Sequence, residues 1–172
     1  MVVNEDSLDG KGRAISIRPP RPTDAASIWR LLWRIPELER NTSYAYVLLC
    51  SDYARSCVVA EERAGQLAGF VMGYIPKERP DELVIWQIGV APELRRRGLG
   101  GQMLDYLVTS CKTARFLIAA VSADNLASRR MFRVLARRHA VPCEIRPGHS
   151  SSLFGDLHES QEWTIIGPFP MR

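Results

Sequence analysis

The sequence has no apolar run long enough to cross a bilayer, so neither a helical membrane span nor a membrane partner is expected. Its first residues, MVVNEDSLDGKGR, are polar and partly acidic where a secretory signal would be apolar. Residues 1–13 are therefore expected to form a flexible leader and the chain to be cytoplasmic. Cysteine is scarce and scattered: Cys50, Cys57, Cys111 and Cys143 lack the short paired spacing of a zinc site, and reduced, buried thiols are expected. His139, His149 and His158 lack the helical spacing of a metal pair, so no metal is expected. A strong excess of one charge is also missing. The 23 basic and 19 acidic residues leave a net +4 spread over several segments. Arginine clusters at 95–97, 129–130 and 137–138 have no interleaved aromatics, so nucleic acid is not an expected partner, whereas a phosphorylated small molecule is.

What is present suits a single α/β domain over residues 14–172: the chain has 172 residues, 46% hydrophobic and 24% charged. Residues 14–18 read as a strand closed by the sequence PPRP. A helix then begins, with Thr23 or Asp24 as its cap and Ile28, Leu31, Leu32 and Ile35 at helical spacing before Pro36. The segment 37–49 turns from polar to apolar, as a loop entering a second helix would. Residues 56–61 and 67–75 read as a hairpin, and 83–90 as a central strand. Helical periodicity follows over 100–111, a short strand over 115–121, another amphipathic helix over 125–138 and a last strand over 162–166. Residues 142–155 are rich in Pro, Gly and Ser and read as irregular. Hairpins first and strand-helix crossovers later predict a mixed sheet flanked by helices.

Between the central strand and the next helix lies RRRGLGG: Arg95, Arg96, Arg97, Gly98, Leu99, Gly100 and Gly101. A loop that leaves a strand and opens a helix exposes unpaired backbone N–H groups, and the helix dipole adds partial positive charge. Glycines let an anion reach those amides, and arginines add charge-assisted hydrogen bonds, so the loop suits a phosphate or pyrophosphate. It is not a Walker A loop, which needs Gly-Lys-Ser/Thr, nor a dinucleotide fingerprint, which needs a third glycine where Met103 stands.

The order of strand, Arg-x-x-Gly-x-Gly loop, amphipathic helix, strand and then Asn125 opening another helix resembles the acetyl-CoA site of the GNAT acetyltransferases, over roughly residues 15–168. The resemblance implies a GNAT-like α/β fold: a mixed, mostly antiparallel twisted sheet flanked by helices, with a splayed central strand pair holding acetyl-CoA. It implies that the backbone at Ile88, Gly89 and Val90 bonds the pantetheine arm, that residues 95–101 hold the pyrophosphate, and that Asn125 and Ser128 meet the cofactor too. Seven residues after the asparagine, many members carry a tyrosine that protonates the departing thiolate; here that residue is Phe132, which has no proton to give. The reserve donors are Tyr44 and Tyr46.

Further stretches are similar to the diaminobutyrate acetyltransferases of ectoine biosynthesis: NTSYAYVLL at 41–49, YIPKERP at 74–80, Trp86-Gln87, Ala127-Ser128-Arg129 and LFGDLHE at 153–159. This likeness implies acetylation of the 4-amine of L-2,4-diaminobutyrate, a role in osmoadaptation and a homodimer. A diamine acid needs carboxylates, an aromatic face and a partner for its own carboxylate. Glu39 and Glu159 are the expected carboxylates, although relatives often have aspartate at the position of Glu39. Trp86 is the expected aromatic wall, and Asn41, Thr42 or an arginine the carboxylate partner. Tyr44 or a water chain is expected to take the amine proton, and the backbone amide near Ile88 or Val90 to stabilise the oxyanion. Two alternatives remain: a GNAT enzyme for another amine, and a non-catalytic acyl-CoA-binding regulator.

Overall fold

The computed structural model describes residues 7–8, 14–62, 65–154 and 161–170. The chain divides into two compact units, one of Met1–Tyr74 with Gln87–Cys111, the other of Ile75–Trp86 with Lys112–Arg172.

In the first unit the strands run β1 (Ser7–Leu8), β2 (Ala14–Arg18), β3 (Val58–Glu62) and β4 (Leu67–Tyr74), each antiparallel to the one before. The expected hairpin is β3 and β4, with Val58 opposite Val71 and Val59 opposite Phe70. Helix α1 (Ala25–Leu32) buries Ala25, Ile28, Leu31 and Leu32, so helical periodicity does locate its inner face. It stops short of the expected Pro36. Proline disfavours the α region for the residue before it, and residues 33–35 run on as tight turns, with the amides of Arg34 and Ile35 bonded to the carbonyls of Leu31 and Leu32. Helix α2 (Ser43–Ser51) buries Tyr46, Leu49 and Cys50 on one face.

Asp24 stands at the cap position of α1 but makes no side-chain cap bond into that helix. Its carboxylate turns back, accepting from the Arg21 amide at 2.6 Å and from both terminal nitrogens of Arg18 at 2.7 and 3.0 Å. Arg18 also donates to Glu61 on β3 through Nε, at 2.9 Å. One part-buried guanidinium thus ties β2, the start of α1 and β3 together. Burial pushes the Asp24 carboxyl up, but the bonds from Arg18 and Arg21 outweigh it and hold the group below its ordinary 3.8. A depressed carboxylate contributes stability that is complete above its unfolded value and lost as pH falls through the folded one. Arg18→Met is therefore expected to lower unfolding stability by about 1–3 kcal/mol at pH 7. The gap from wild type should narrow on acidification below the unfolded value of 3.8, as followed by urea unfolding at several pH values.

Strand β5 (Glu82–Val90) begins in the second unit and ends in the first, and a 3-10 turn at Pro92–Leu94 and the loop 95–98 lead from it into α3 (Leu99–Ser110). Leu99, Gly100, Met103, Leu104, Leu107 and Val108 form the buried side of α3. In the second unit β5 pairs with β6 (Phe116–Val121) in parallel, from Glu82 opposite Phe116 to Ile85 opposite Ala119. Strands β6, β8 (Glu162–Ile166) and β7 (Cys143–Pro147) then follow in antiparallel order, so the expected mixed sheet is found. Helix α4 (Leu126–Arg138) buries Phe132, Leu135 and Ala136. Strand β7 corrects the irregular reading of 142–155. It pairs on one side only and four of its five residues are exposed, so it carries no alternating apolar signal, and Pro142 and Pro147 obscure it further.

Candidate active site

At the loop before α3 the backbone turns twice through the left-handed region, at Arg96 (φ 62°) and at Gly98 (φ 80°). Gly98 caps α3, and the first bond of the helix runs from the Gln102 amide to the Gly98 carbonyl at 3.0 Å. By helix geometry the amides of Leu99, Gly100 and Gly101 precede any such bond and point out of the helix end. A Cβ at Gly98 would meet nothing within 4 Å, so Gly98 itself borders open space. Positive-φ backbone ahead of a helix start can form an anion nest.

The three arginines are not equivalent. Arg95 gives Nη1 and Nη2 to the two carboxylate oxygens of Glu37, both at 2.9 Å. That bond lowers the exposed Glu37 carboxyl to about 2. Arg34 makes a similar two-oxygen pair with Glu93, at 2.7 and 2.8 Å. The turn leading into α3 is thereby strapped to residues 34–37. Gly89 makes a second close approach: a Cβ there would fall on the Phe70 ring, and one at Gly69 would lie 2.8 Å from the Gly89 carbonyl.

Residues 39–46, which include candidate acceptor contacts, lie in the same unit. Tyr44 and Tyr46, two residues apart on α2, point to different sides of the helix. Tyr44 is 70% exposed, whereas Tyr46 is fully buried and donates its hydroxyl proton to Gln87 Oε1 at 2.8 Å. Burial, first of all, raises the Tyr46 phenol above its ordinary 10.0, against hydrogen bonds from the Asn41 side chain and main chain. Gln87 Nε2 donates to the Glu39 carbonyl, also at 2.8 Å. Glu39 and Thr42 themselves are exposed and Asn41 is half-buried. Nothing in the sequence singles out Gln87 as more than the neighbour of Trp86; its signal is an amide on the buried side of an apolar strand.

Along β5, Leu83, Ile85, Gln87 and Gly89 alternate onto the buried face. Trp86 shares the other face with Ile88 and Val90 and is 38% exposed, so it is displayed and not a core ring. In the second unit, Asn125 caps α4, its Oδ1 accepting from the Ser128 amide at 3.0 Å, which leaves its NH2 end for other contacts. Phe132 is buried on the inner side of that helix. Arg129 forms an ion pair with Glu162. Glu159 lies outside the described residues.

None of the thiols is set up as a nucleophile. Burial pushes Cys50 up to about 12 and Cys57 up to about 11, and raises Cys111 and Cys143 as well. Among the described residues no group of three His, Cys, Asp or Glu could hold a metal, and no helix is long and apolar enough to cross a membrane.

The turn ahead of α3 offers first-turn amides that an anion could accept from, and burial holds the thiols protonated, so none stands ready to carry an acyl group. The chain belongs to the acetyltransferase (GNAT) family, whose sequence profile matches residues 25–136, and with membership comes acetyl transfer from acetyl-CoA. Within that class it is similar to the L-2,4-diaminobutyric acid acetyltransferase of Shouchella clausii, at 37% identity over 171 residues, covering 97% of this chain and 95% of that protein. The enzyme of the same name from Bordetella parapertussis is 39% identical over 156 residues, 89% of this chain and 84% of its own. Among solved structures, the diaminobutyrate acetyltransferase EctA of Paenibacillus lautus, in complex with its substrate L-2,4-diaminobutyric acid and coenzyme A, matches with a TM-score of 0.86. It is 32% identical and covers 92% of this chain and 98% of that one.

Proposed function

We infer that the chain transfers the acetyl group of acetyl-CoA to the 4-amine of L-2,4-diaminobutyrate, giving N4-acetyl-L-2,4-diaminobutyrate. The observation that carries this reading is the near full-length likeness to diaminobutyrate acetyltransferases, including one solved with diaminobutyrate and coenzyme A bound. In this reading residues 14–172 act as one domain, in the cytoplasm and as a homodimer, and the product feeds ectoine synthesis for osmoadaptation.

The residues then take the following roles. The amides of Leu99, Gly100 and Gly101, behind the open Gly98, receive the pyrophosphate, with Arg96 and Arg97 adding charge; Arg95 reaches it only by leaving Glu37. The backbone at Ile88, Gly89 and Val90 takes the pantetheine arm, and Asn125 with Ser128 meets the cofactor from α4. Glu39 and Glu159 hold the spare ammonium group, Asn41 or Thr42 the carboxylate, and Trp86 forms an aromatic wall.

An aliphatic amine has a pKa around 10, so only about one molecule in a thousand is neutral at pH 7 and a proton must leave first. Carboxylates favour the cation, so Glu39 and Glu159 bind better than they activate. The neutral nitrogen attacks the thioester carbonyl, a tetrahedral oxyanion forms near the amide of Ile88 or Val90, and the C–S bond breaks to release coenzyme A as its thiol. Tyr46 has committed its hydroxyl proton to Gln87, which leaves Tyr44, exposed and on the other side of α2, or water to carry protons in and out.

The deciding assay mixes protein, acetyl-CoA and diaminobutyrate, and resolves the two amine positions of the product by mass spectrometry. Acetylation at the 4-amine is expected. Equal turnover of spermidine would defeat the narrow substrate. Tight coenzyme A binding with no acetylated amine would favour the acyl-CoA-binding regulator, which the absence of a phenol at Phe132 suits.

A further inference from the structure

The geometry points to Gln87 as a positioning residue for the acceptor amine, an assignment that rests on the acetyl-transfer reading above and adds a residue to it. The argument starts from the hydrogen-bonding capacity of one buried amide. The Glu39 carbonyl can only accept, so the end of Gln87 that meets it at 2.8 Å must be Nε2. Oε1 then faces Tyr46, and the phenol must donate to it. Tyr46 in turn receives bonds from both the side chain and the main chain of Asn41. Gln87 therefore fixes two points of one short loop: Glu39 directly through its carbonyl, and Asn41 through Tyr46. These are the two residues of the loop assigned to the spare ammonium and to the carboxylate of the acceptor.

The bonds reach far along the chain, over 48 residues to Glu39 and 41 to Tyr46. Gln87 itself lies one residue from Ile88, where the strand is assigned to the pantetheine arm. A single side chain thus sets the loop that holds the amine against the strand assigned to the thioester arm. An apolar side chain of similar size would keep the strand packed while leaving the Glu39 carbonyl and the Tyr46 hydroxyl without their partner. The loop would then lose its register, and the amine its aim.

Steady-state kinetics with each substrate varied in turn test this. Gln87→Leu is expected to raise the KM for diaminobutyrate about 10-fold or more and to leave the KM for acetyl-CoA within about twofold. Tyr46→Phe removes one of the two bonds and keeps the link to Glu39, so a smaller rise in the same constant is expected. Gln87→Glu can still accept from Tyr46 but cannot, as a carboxylate, donate to Glu39, and is expected to fall between them. It also keeps the assignment testable should the leucine variant not fold. Equal changes in both KM values, or a lower Tm with unchanged kinetics, would overturn the assignment. A wild-type protein that ignores diaminobutyrate but acetylates another amine sinks the substrate reading alone, because the split between acceptor and coenzyme KM is then read with that amine.

Discussion

Gly98→Asp is expected to raise the KM for acetyl-CoA about 10- to 100-fold and to leave the KM for the acceptor amine close to that of wild type. The position has a favourable geometry for the experiment. A side chain there enters open space, with no atom within 4 Å of its Cβ, so the substitution does not push on the core. The backbone stands at φ 80°, which costs an ordinary L residue roughly 1–2 kcal/mol but suits aspartate and asparagine better than most. The new carboxylate sits at the mouth of α3, where it accepts from the same first-turn amides and repels a phosphate. Gly98→Asn keeps the shape and the backbone cost without the charge, so it should retain most of the affinity. Isothermal titration with coenzyme A and with pantetheine, which lacks phosphate, separates the terms: the aspartate penalty should be present for the first and nearly absent for the second. An unchanged coenzyme KM in the aspartate variant would place the diphosphate elsewhere and remove the central assignment of the site.

That loop is also the part of the site that the sequence displays best. Its meaning is local: cations, glycines, a strand before and a helix after are all within a few residues of one another, and their physics follows from helix geometry alone. The acceptor side is different. Tyr44 and Tyr46 are equivalent donors on paper. Only the direction of the α2 axis decides that one is fully buried and bonded while the other is 70% exposed. Gln87 is silent in the sequence because both its partners are more than 40 residues away. The Glu37 to Arg95 pair, 58 residues apart, is hidden for the same reason, and with it the fact that Arg95 already has a carboxylate. Among the elements, the strongly periodic helices and apolar strands emerge within a few residues of their bounds. The edge strand β7 does not, because it is mostly exposed and lies between prolines.

The Glu37 to Arg95 pair also constrains how the two halves of the reaction communicate. Its carboxyl is lowered to about 2, so protonation does not open it in any ordinary assay buffer. What can open it is a better anion for Arg95, or salt. The diphosphate proposed for the α3 amides would be such an anion. With the diphosphate there, coenzyme binding would draw Arg95 away from Glu37 and loosen residues 34–37, while the Gln87 bond to Glu39 would remain.

The second large effect is expected at Gly89, where chemistry and packing meet on one residue. Its Cα approaches the Phe70 ring so closely that a Cβ would fall on the ring, and Ile35 Cδ1 would lie only 3.2 Å away. Phe70 is fully buried on β4 and has no solvent to swing into. Gly89→Ala must therefore move β5, at a cost of about 1–3 kcal/mol, seen as a lower midpoint in urea. If the backbone of 88–90 carries the pantetheine arm, a shift approaching 1 Å there should also lower kcat/KM for acetyl-CoA by up to about 100-fold. Pairing the change with Phe70→Leu distinguishes strain from a lost contact. The smaller side chain makes room for the methyl group, so the double variant should be more stable than the sum of the single effects by about 0.5–3 kcal/mol, and kcat/KM should recover with it. Recovery of stability without recovery of kcat/KM would mean that Gly89 is needed bare for the coenzyme itself. Strict additivity in both measurements would show that the close approach to Phe70 does not govern the position of β5.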